Sequence, residues 1–301
     1  MPVAASASAK AATRGKAMAR TIRRIVVALD DSADSRLVLE EAVALAARMK
    51  AELSGLFVED TTLLNAAQLS LTRQVNFSGQ TVEALDSQGL ERVLRGQAEA
   101  IRRALGQAAQ RHDLTWSFRV ARGKASLHIL SAVSEADLVI MGKTTPAVTR
   151  RAHIGTTARL VASAPRGSIL FSEPRLRQVL GGAGAIVVAY GEGPHADEAL
   201  DRATHLAQST DKALVVLLPD GAAGAPVETQ IRERLAHTGV TASFRHCPRR
   251  GCDSLIQAMS THRGALLVLA QDTPLLGEDS VADLIERVDS PVLIVATGGG
   301  A

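Results

Sequence analysis

An α/β fold with two tandem, doubly wound parallel-sheet domains is predicted from three observations. Short runs of Val, Ile and Leu alternate with longer stretches of helical spacing, in the order βαβαβαβαβ. The same order restarts after a stretch punctuated by proline and glycine at 173–184. Apolar positions of the first half recur in the second. Alternation of this kind implies a parallel sheet covered by helices on both faces, with right-handed crossovers. Recurrence at a fixed order implies an internal duplication of about 140 residues.

The elements follow from the residues in turn. Ile22 to Leu29 is a strand, since its Val/Ile run is too short for a helix. Asp30-Asp31-Ser32 break the run and can cap a helix over 34–49, where Leu37, Val38, Ala42, Leu45 and Ala46 stand at helical spacing. Leu53 to Val58 is the second strand. Residues 60–87 do not fit a simple crossover. Leu63 to Leu69 within them reads as a short amphipathic helix, and the polar residues around Gly79 as a mobile loop. A long helix over 88–112 carries Leu90, Val93, Leu94, Ile101 and Leu105 on one side. Trp116 to Ala121 is a strand and 125–134 a short helix. A buried strand at 138–141, a loop, a helix from 156 and a last strand at 168–172 complete the first half.

In the second half Ile25-Val26-Val27-Ala28 returns as Ile186-Val187-Val188-Ala189, and Ser117-Phe118-Arg119 as Ser243-Phe244-Arg245. The expected organisation is a basic, disordered tail over 1–20, a first domain over 21–173, a linker over 174–184 and a second domain over 185–298. The last strands, 168–172 and 291–296, are the apolar candidates for a seam between the two domains. Each ends its sheet and would otherwise leave an edge unpaired. The expected result is an intramolecular pseudo-dimer.

Composition narrows the function. Aromatic residues are 2% of the chain, so the core is aliphatic and stacking platforms for single-stranded nucleic acid are excluded. The formal charge of +3 owes much to the first 24 residues, which hold six Lys and Arg and no acidic residue, so no nucleic-acid partner is read from it. No run of 18 apolar residues occurs, hence no membrane span. The N-terminus lacks the apolar core of a secretory signal. A disordered tail, a transit peptide, or an extension upstream of a start at Met18 stay open for it. Cys247 and Cys252 form no disulfide framework, and with His246 they fall short of the four ligands of a structural zinc site.

The stretch that carries chemistry is Asp137 to Thr157. A strand ends at Gly142, a loop follows with Lys143, Arg150, Arg151 and His153 and no acidic residue, and a helix starts at Gly155-Thr156-Thr157. Free N–H groups and the helix dipole both favour an anion there, and carboxyl ends of strands are where open α/β sheets bind ligands. A P-loop is excluded, because Asp137 stands where its first glycine belongs and Pro146 would break the following helix. No G-x-G-x-x-G, G-x-S-x-G or H-E-x-x-H occurs. Asp30 becomes Gly191 in the second half, Gly142 becomes Ala270, Lys143 becomes Gln271, Gly155 becomes Asp279 and Thr156 becomes Ser280. Only the first half is expected to bind an anion.

Gly142, Thr145 and Gly155-Thr156 at this spacing resemble the G-x2-G-x9-G-[ST] loop of universal stress proteins, with Thr145 in place of the second glycine. Val27-Ala28-Leu29-Asp30-Asp31-Ser32, Phe57-Val58-Glu59-Asp60 and Val120 to Ala125 also resemble the family, well over 22–172 and weakly over 185–296. The resemblance implies a tandem member with a degenerate second domain and the adenine-nucleotide alpha-hydrolase-like fold. It implies ATP or another adenine nucleotide, with Mg2+, as ligand. Asp30 would face the adenosine and a backbone group at Val58 the adenine. Gly155, Thr156 and Thr157 would meet the phosphates, Lys143 and Arg151 would add charge there, and Met141, Gly142 and Thr145 would complete the nucleotide-binding set. The function implied is a cytoplasmic stress-response regulator without dedicated catalysis. The alternative is an interaction scaffold in which both sites are vestigial, with a protein partner that the sequence does not name.

Overall fold

The structure of the chain, a computed structural model, describes residues 22–30, 32–60, 73–75, 82–84, 87–143, 154–164, 167–172, 182, 184–220, 224–262 and 264–296. The tail over 1–20, most of the linker, the helix expected at Leu63 to Leu69 and the loop around Gly79 lie outside these residues.

The first half runs β1 (Arg24–Leu29), α1 (Ala33–Met49), β2 (Glu52–Asp60), β3 (Arg73–Val75), β4 (Val82–Ala84), α2 (Ser87–Gln110), β5 (Trp116–Gly123), α3 (Ala125–Glu135), β6 (Leu138–Gly142), α4 (Thr156–Ser163) and β7 (Ile169–Ser172). The second runs β8 (Ile186–Ala189), α5 (Ala196–Thr210), β9 (Leu214–Pro219), α6 (Gly224–Leu235), β10 (Ala242–Cys247), α7 (Cys252–Ser260), β11 (Leu266–Ala270), a single 3-10 turn (Pro274–Leu276), α8 (Val281–Arg287) and β12 (Val292–Val295). The fold is α/β with a mostly parallel sheet, and the expected alternation holds throughout. One addition comes from the 60–87 stretch, where β3 and β4 pair antiparallel as a separate two-stranded ribbon. Strands of three residues carry too little periodicity to be read from sequence.

Ten strands form one continuous sheet, in the order β10-β9-β8-β11-β12-β7-β6-β1-β2-β5. Each half contributes five strands in the same spatial order, so the topology repeats as the apolar pattern does. All pairings are parallel except that of β12 with β7, where Val292 stands opposite Phe171, Leu293 opposite Leu170 and Ile294 opposite Ile169. The two terminal strands thereby remove each other's open edge. Both are fully buried, because helices cover both faces.

Side chains alternate across the strands, as the two-residue period of a strand requires. Ile25 and Val27 enter one core together with α1, α2, α5 and α6, while Val26 enters the other with α3, α4, α7 and α8. The α2 stripe is Leu94, Ala98, Ile101, Leu105 and Ala108, at alternating steps of three and four. Val93, expected in that stripe, is exposed, since it sits one residue, or about 100°, around the helix from Leu94. Gly55 on β2 lets α2 lie close, for a Cβ there would meet Leu105 Cδ2 at 2.6 Å. Both α1 and α5 end in a non-glycine residue in the left-handed region, Lys50 at φ 53° and Asp211 at φ 55°. These residues occupy corresponding positions in the two halves.

Candidate functional site

A cleft of about 210 Å³ opens at the carboxyl ends of β1, β2 and β6. In the first half the chain runs outward from β1 to β2 and β5, then returns to β6 on the other side of β1. Helix α1 packs in one core and α4 in the other, and the switch of strand order leaves the crevice where such sheets bind ligands. Asp30, Val58, Met141, Gly142, Lys143, Gly155 and Thr157 all border it. Thr156 is exposed beside it and does not line it. Thr145 and Arg151 lie outside the described residues.

Helix α4 supplies the anion-binding feature. Its N-cap is Gly155, at φ −63° and ψ 151°, which has no side chain of its own to cap the first turn. The N–H of Gly155 donates to the Lys143 carbonyl at 3.3 Å, and that carbonyl fixes where the helix begins. The first-turn N–H groups of an α-helix have no partner within the helix, and the positive end of the dipole lies with them.

Asp30 sits on a tight turn at the end of β1. Its Oδ1 accepts from the Ser32 N–H at 3.0 Å and from Ser32 Oγ at 2.5 Å, while its own N–H donates to Ser35 Oγ at 2.9 Å. Ser32, not Asp30, is the N-cap of α1, accepting from the Ser35 N–H at 3.1 Å. Asp30 is thus left exposed at the rim, with one carboxylate oxygen committed to the turn.

Lys143 departs from the expectation that it adds charge at the phosphates. It is buried, and its ammonium reaches across the seam to donate to the carbonyls of Val288 and, at 3.4 Å, Ser290. Val288 is the C-cap of α8. A cation at a helix C-terminus is favoured by the dipole, and the lysine lines the cleft while its ammonium is also held by the second half. No local signal announces this, because 145 residues separate the partners.

The sequence reading also missed Ser32, Ser35, Ala125 and Ile129 along the cleft wall. Ser32 and Ala125 had a signal, as the last residues of the Val27 to Ser32 and Val120 to Ala125 stretches.

The corresponding region of the second half is filled by its own chain. Gly191 stands where the first half has Asp30, and a Cβ there would lie 2.7 Å from Pro274 Cδ. The turn at Pro274–Leu276 folds inward, burying Leu275 and Leu276. Asp279 Oδ2 accepts the Cys252 N–H, at the start of α7, at 2.6 Å. Helix α8 is closed by a capping box, in which Ser280 Oγ accepts the Asp283 N–H at 3.1 Å and the Asp283 carboxylate accepts from Ser280. The second half therefore spends the starts of α7 and α8 on its own side chains, whereas α4 begins from a glycine.

The plug also sets the thiols. Cys247 and Cys252 are both buried and unpaired with each other. Burial, then the nearby Asp279 carboxylate, push the Cys252 thiol up to about 12, and burial also raises Cys247. Reaction needs the thiolate. At pH 8 the native protein is expected to leave both thiols unmodified by Ellman's reagent over a time in which guanidinium-unfolded chain gives two equivalents. Rapid native labelling of either would show that the plug opens.

A family model described as the universal stress protein family matches residues 21–166. Among solved structures, a universal stress protein from Archaeoglobus fulgidus DSM 4304 is similar at 15% identity, covering 92% of this chain and 98% of that one, with a TM-score of 0.69. A putative universal stress protein from Pseudomonas aeruginosa UCBPP-PA14 is similar at 17% identity over 94% and 96%, with a TM-score of 0.59. A protein of unknown function from Pseudomonas aeruginosa PAO1 is similar at 15% over 94% and 95%, with a TM-score of 0.60. Likeness at such identities speaks for the fold alone, here over nearly the whole of both chains. No curated protein matches the sequence. Residues 21–166 thus belong to the universal stress protein family, and the fold of its solved members extends over the rest of the chain.

Proposed function

We propose that the chain is a regulatory module that binds one adenine nucleotide, in its first half, without dedicated catalysis. The observation that carries this reading is the asymmetry of the helix starts. Helix α4 opens onto the cleft from a glycine N-cap with no side-chain cap, while α8 is closed by its own capping box. An uncapped N-terminus is a ready-made anion site, and the phosphates are assigned to Gly155, Thr156 and Thr157. The base and ribose are assigned to the region between Asp30 and Val58, where the cleft continues. Thr145 and Arg151 belong to the same assignment through the loop that leads into α4. In this reading residues 21–173 and 185–298 are two domains of a pseudo-dimer, joined by the linker 174–184, and the second is degenerate.

A second reading has observations of its own. Lys143 is committed to α8, and one oxygen of Asp30 is committed to Ser32. Both favour an interaction scaffold whose sites are vestigial. Titration of MgATP and of AMP into the full chain by calorimetry separates the two. One site per chain supports the nucleotide module. Two sites would contradict the assignment to the first half, and no heat with either ligand would transfer the protein to the scaffold reading. Mass spectrometry of small molecules released from the purified protein provides an independent check.

A further inference from the structure

We infer that the second half, having filled its own site, serves as a brace that holds the first half's cleft in shape through Lys143 and Arg159. Lys143 is a three-way tie. Its N–H donates to the Ser172 carbonyl of β7 at 3.0 Å, and its carbonyl accepts the N–H of Gly155, the N-cap of α4, at 3.3 Å. Its ammonium is buried against the carbonyls of Val288 and Ser290 at the C-terminal end of α8. The residue that sets where α4 begins is thus anchored in the other half of the chain. A buried ammonium carries a large desolvation cost unless it is hydrogen-bonded, so this anchor has one strongly favoured position.

Arg159 makes the second attachment, in the first turn of α4. Its guanidinium pairs with Asp283, at 3.5 Å, and with Glu286, both on α8. Asp283 is itself held by the Ser280 cap, so the guanidinium meets a fixed partner. The β7–β12 pairing lies beneath these two helices and sets their separation. These partners of the two side chains all lie in the second half: Val288 and Ser290 for Lys143, Asp283 and Glu286 for Arg159. Both act on Gly142, Gly155 and the first turn of α4 by position, and both are positioning residues. The Lys143 position is Gln271 in the second half, where the Pro274–Leu276 turn lies against Gly191.

Amide hydrogen exchange on the ligand-free full chain tests the brace. Compared are wild type, Lys143→Met, Glu286→Arg, and the charge-swapped pair Arg159→Glu with Glu286→Arg. Protection across 154–164 is expected to fall at least about tenfold in the two single variants, and to return in the swapped pair. Protection across 24–60 should hold in all of them. Unchanged protection of 154–164 in both single variants, or a swapped pair no better than Glu286→Arg, overturns the inference. If Lys143→Met does not fold, Glu286→Arg and its swap decide alone, since that ion pair is on the surface. Affinity for MgATP should follow the same order, falling about tenfold in Glu286→Arg; this arm alone rests on the nucleotide reading. Wild type that binds no nucleotide would remove that reading, while the exchange result still decides the brace.

Discussion

Replacing Gly155 by aspartate is expected to lower the affinity of the chain for MgATP by about a hundredfold or more while the fold survives. The second half shows what a carboxylate in this region does, for Asp279, just before the Ser280 cap of α8, accepts the first N–H of α7 at 2.6 Å. Asp at 155 would be adjacent to the N–H groups assigned to phosphate, and it would compete for them as a built-in anion. It would also repel the ligand. Two unit charges about 4 Å apart at an effective dielectric near 20 interact by roughly 4 kcal/mol. A factor of ten in affinity takes about 1.4 kcal/mol, so a hundredfold loss needs only part of that repulsion. The fold should tolerate the change, because Gly155 has φ −63°, which any residue adopts, and aspartate is a favoured N-cap. The thermal midpoint of ligand-free variant should therefore equal or exceed that of wild type. Calorimetry and thermal melts on both proteins check the two halves of the claim. Equal affinity in both proteins would disprove the assignment of phosphates to α4.

The largest effect on stability is expected at the seam. Phe171 is fully buried in β7, opposite Val292 of β12, in a core that runs across both halves. Truncating it to alanine should cost on the order of 3–5 kcal/mol, from lost transfer energy and the cavity left behind. In a chain of this size that corresponds to a fall in midpoint of roughly 10 °C. Val120→Ala on the edge strand β5, where the side chain is about half exposed, is the control and should change stability by about 0.5 kcal/mol or less. Urea unfolding of both variants measures the difference. A cost below about 1 kcal/mol for Phe171→Ala would mean that the two halves are not fused through this core.

Much of the frame was legible in the sequence. The strands at 138–141 and 168–172 are continuous apolar runs because both of their faces are covered, and such runs announce buried parallel strands. Helices α1 and α2 announced themselves by apolar stripes, with Leu37 and Val93, both exposed, misjudged because adjacent apolar residues do not share a helix face. The cleft region was legible because it lies at strand ends, and strand ends are where the apolar run stops: Asp30 after β1, Gly142 at the end of β6 and Gly155 before α4. The change to Gly191 and Asp279 in the second half was legible as a loss, but the plug that accompanies it was not.

What the sequence by itself determined is whatever depends on period and punctuation: the α/β class, the repeated order of elements, and an N-terminal glycine that leaves α4 uncapped. Only the tertiary structure decided where the charges go. Lys143 stands in a basic loop and reads as a phosphate ligand, yet pairing β7 with β12 brings the end of α8 within its reach and gives its ammonium a buried helix C-terminus. Arg159 drew no reading from the sequence, and the same pairing sets Asp283 and Glu286 beside it. The physical reason is common to both. Periodicity is fixed by neighbours three or four residues away, whereas the partner of a long cationic side chain is fixed by which sheet edges meet.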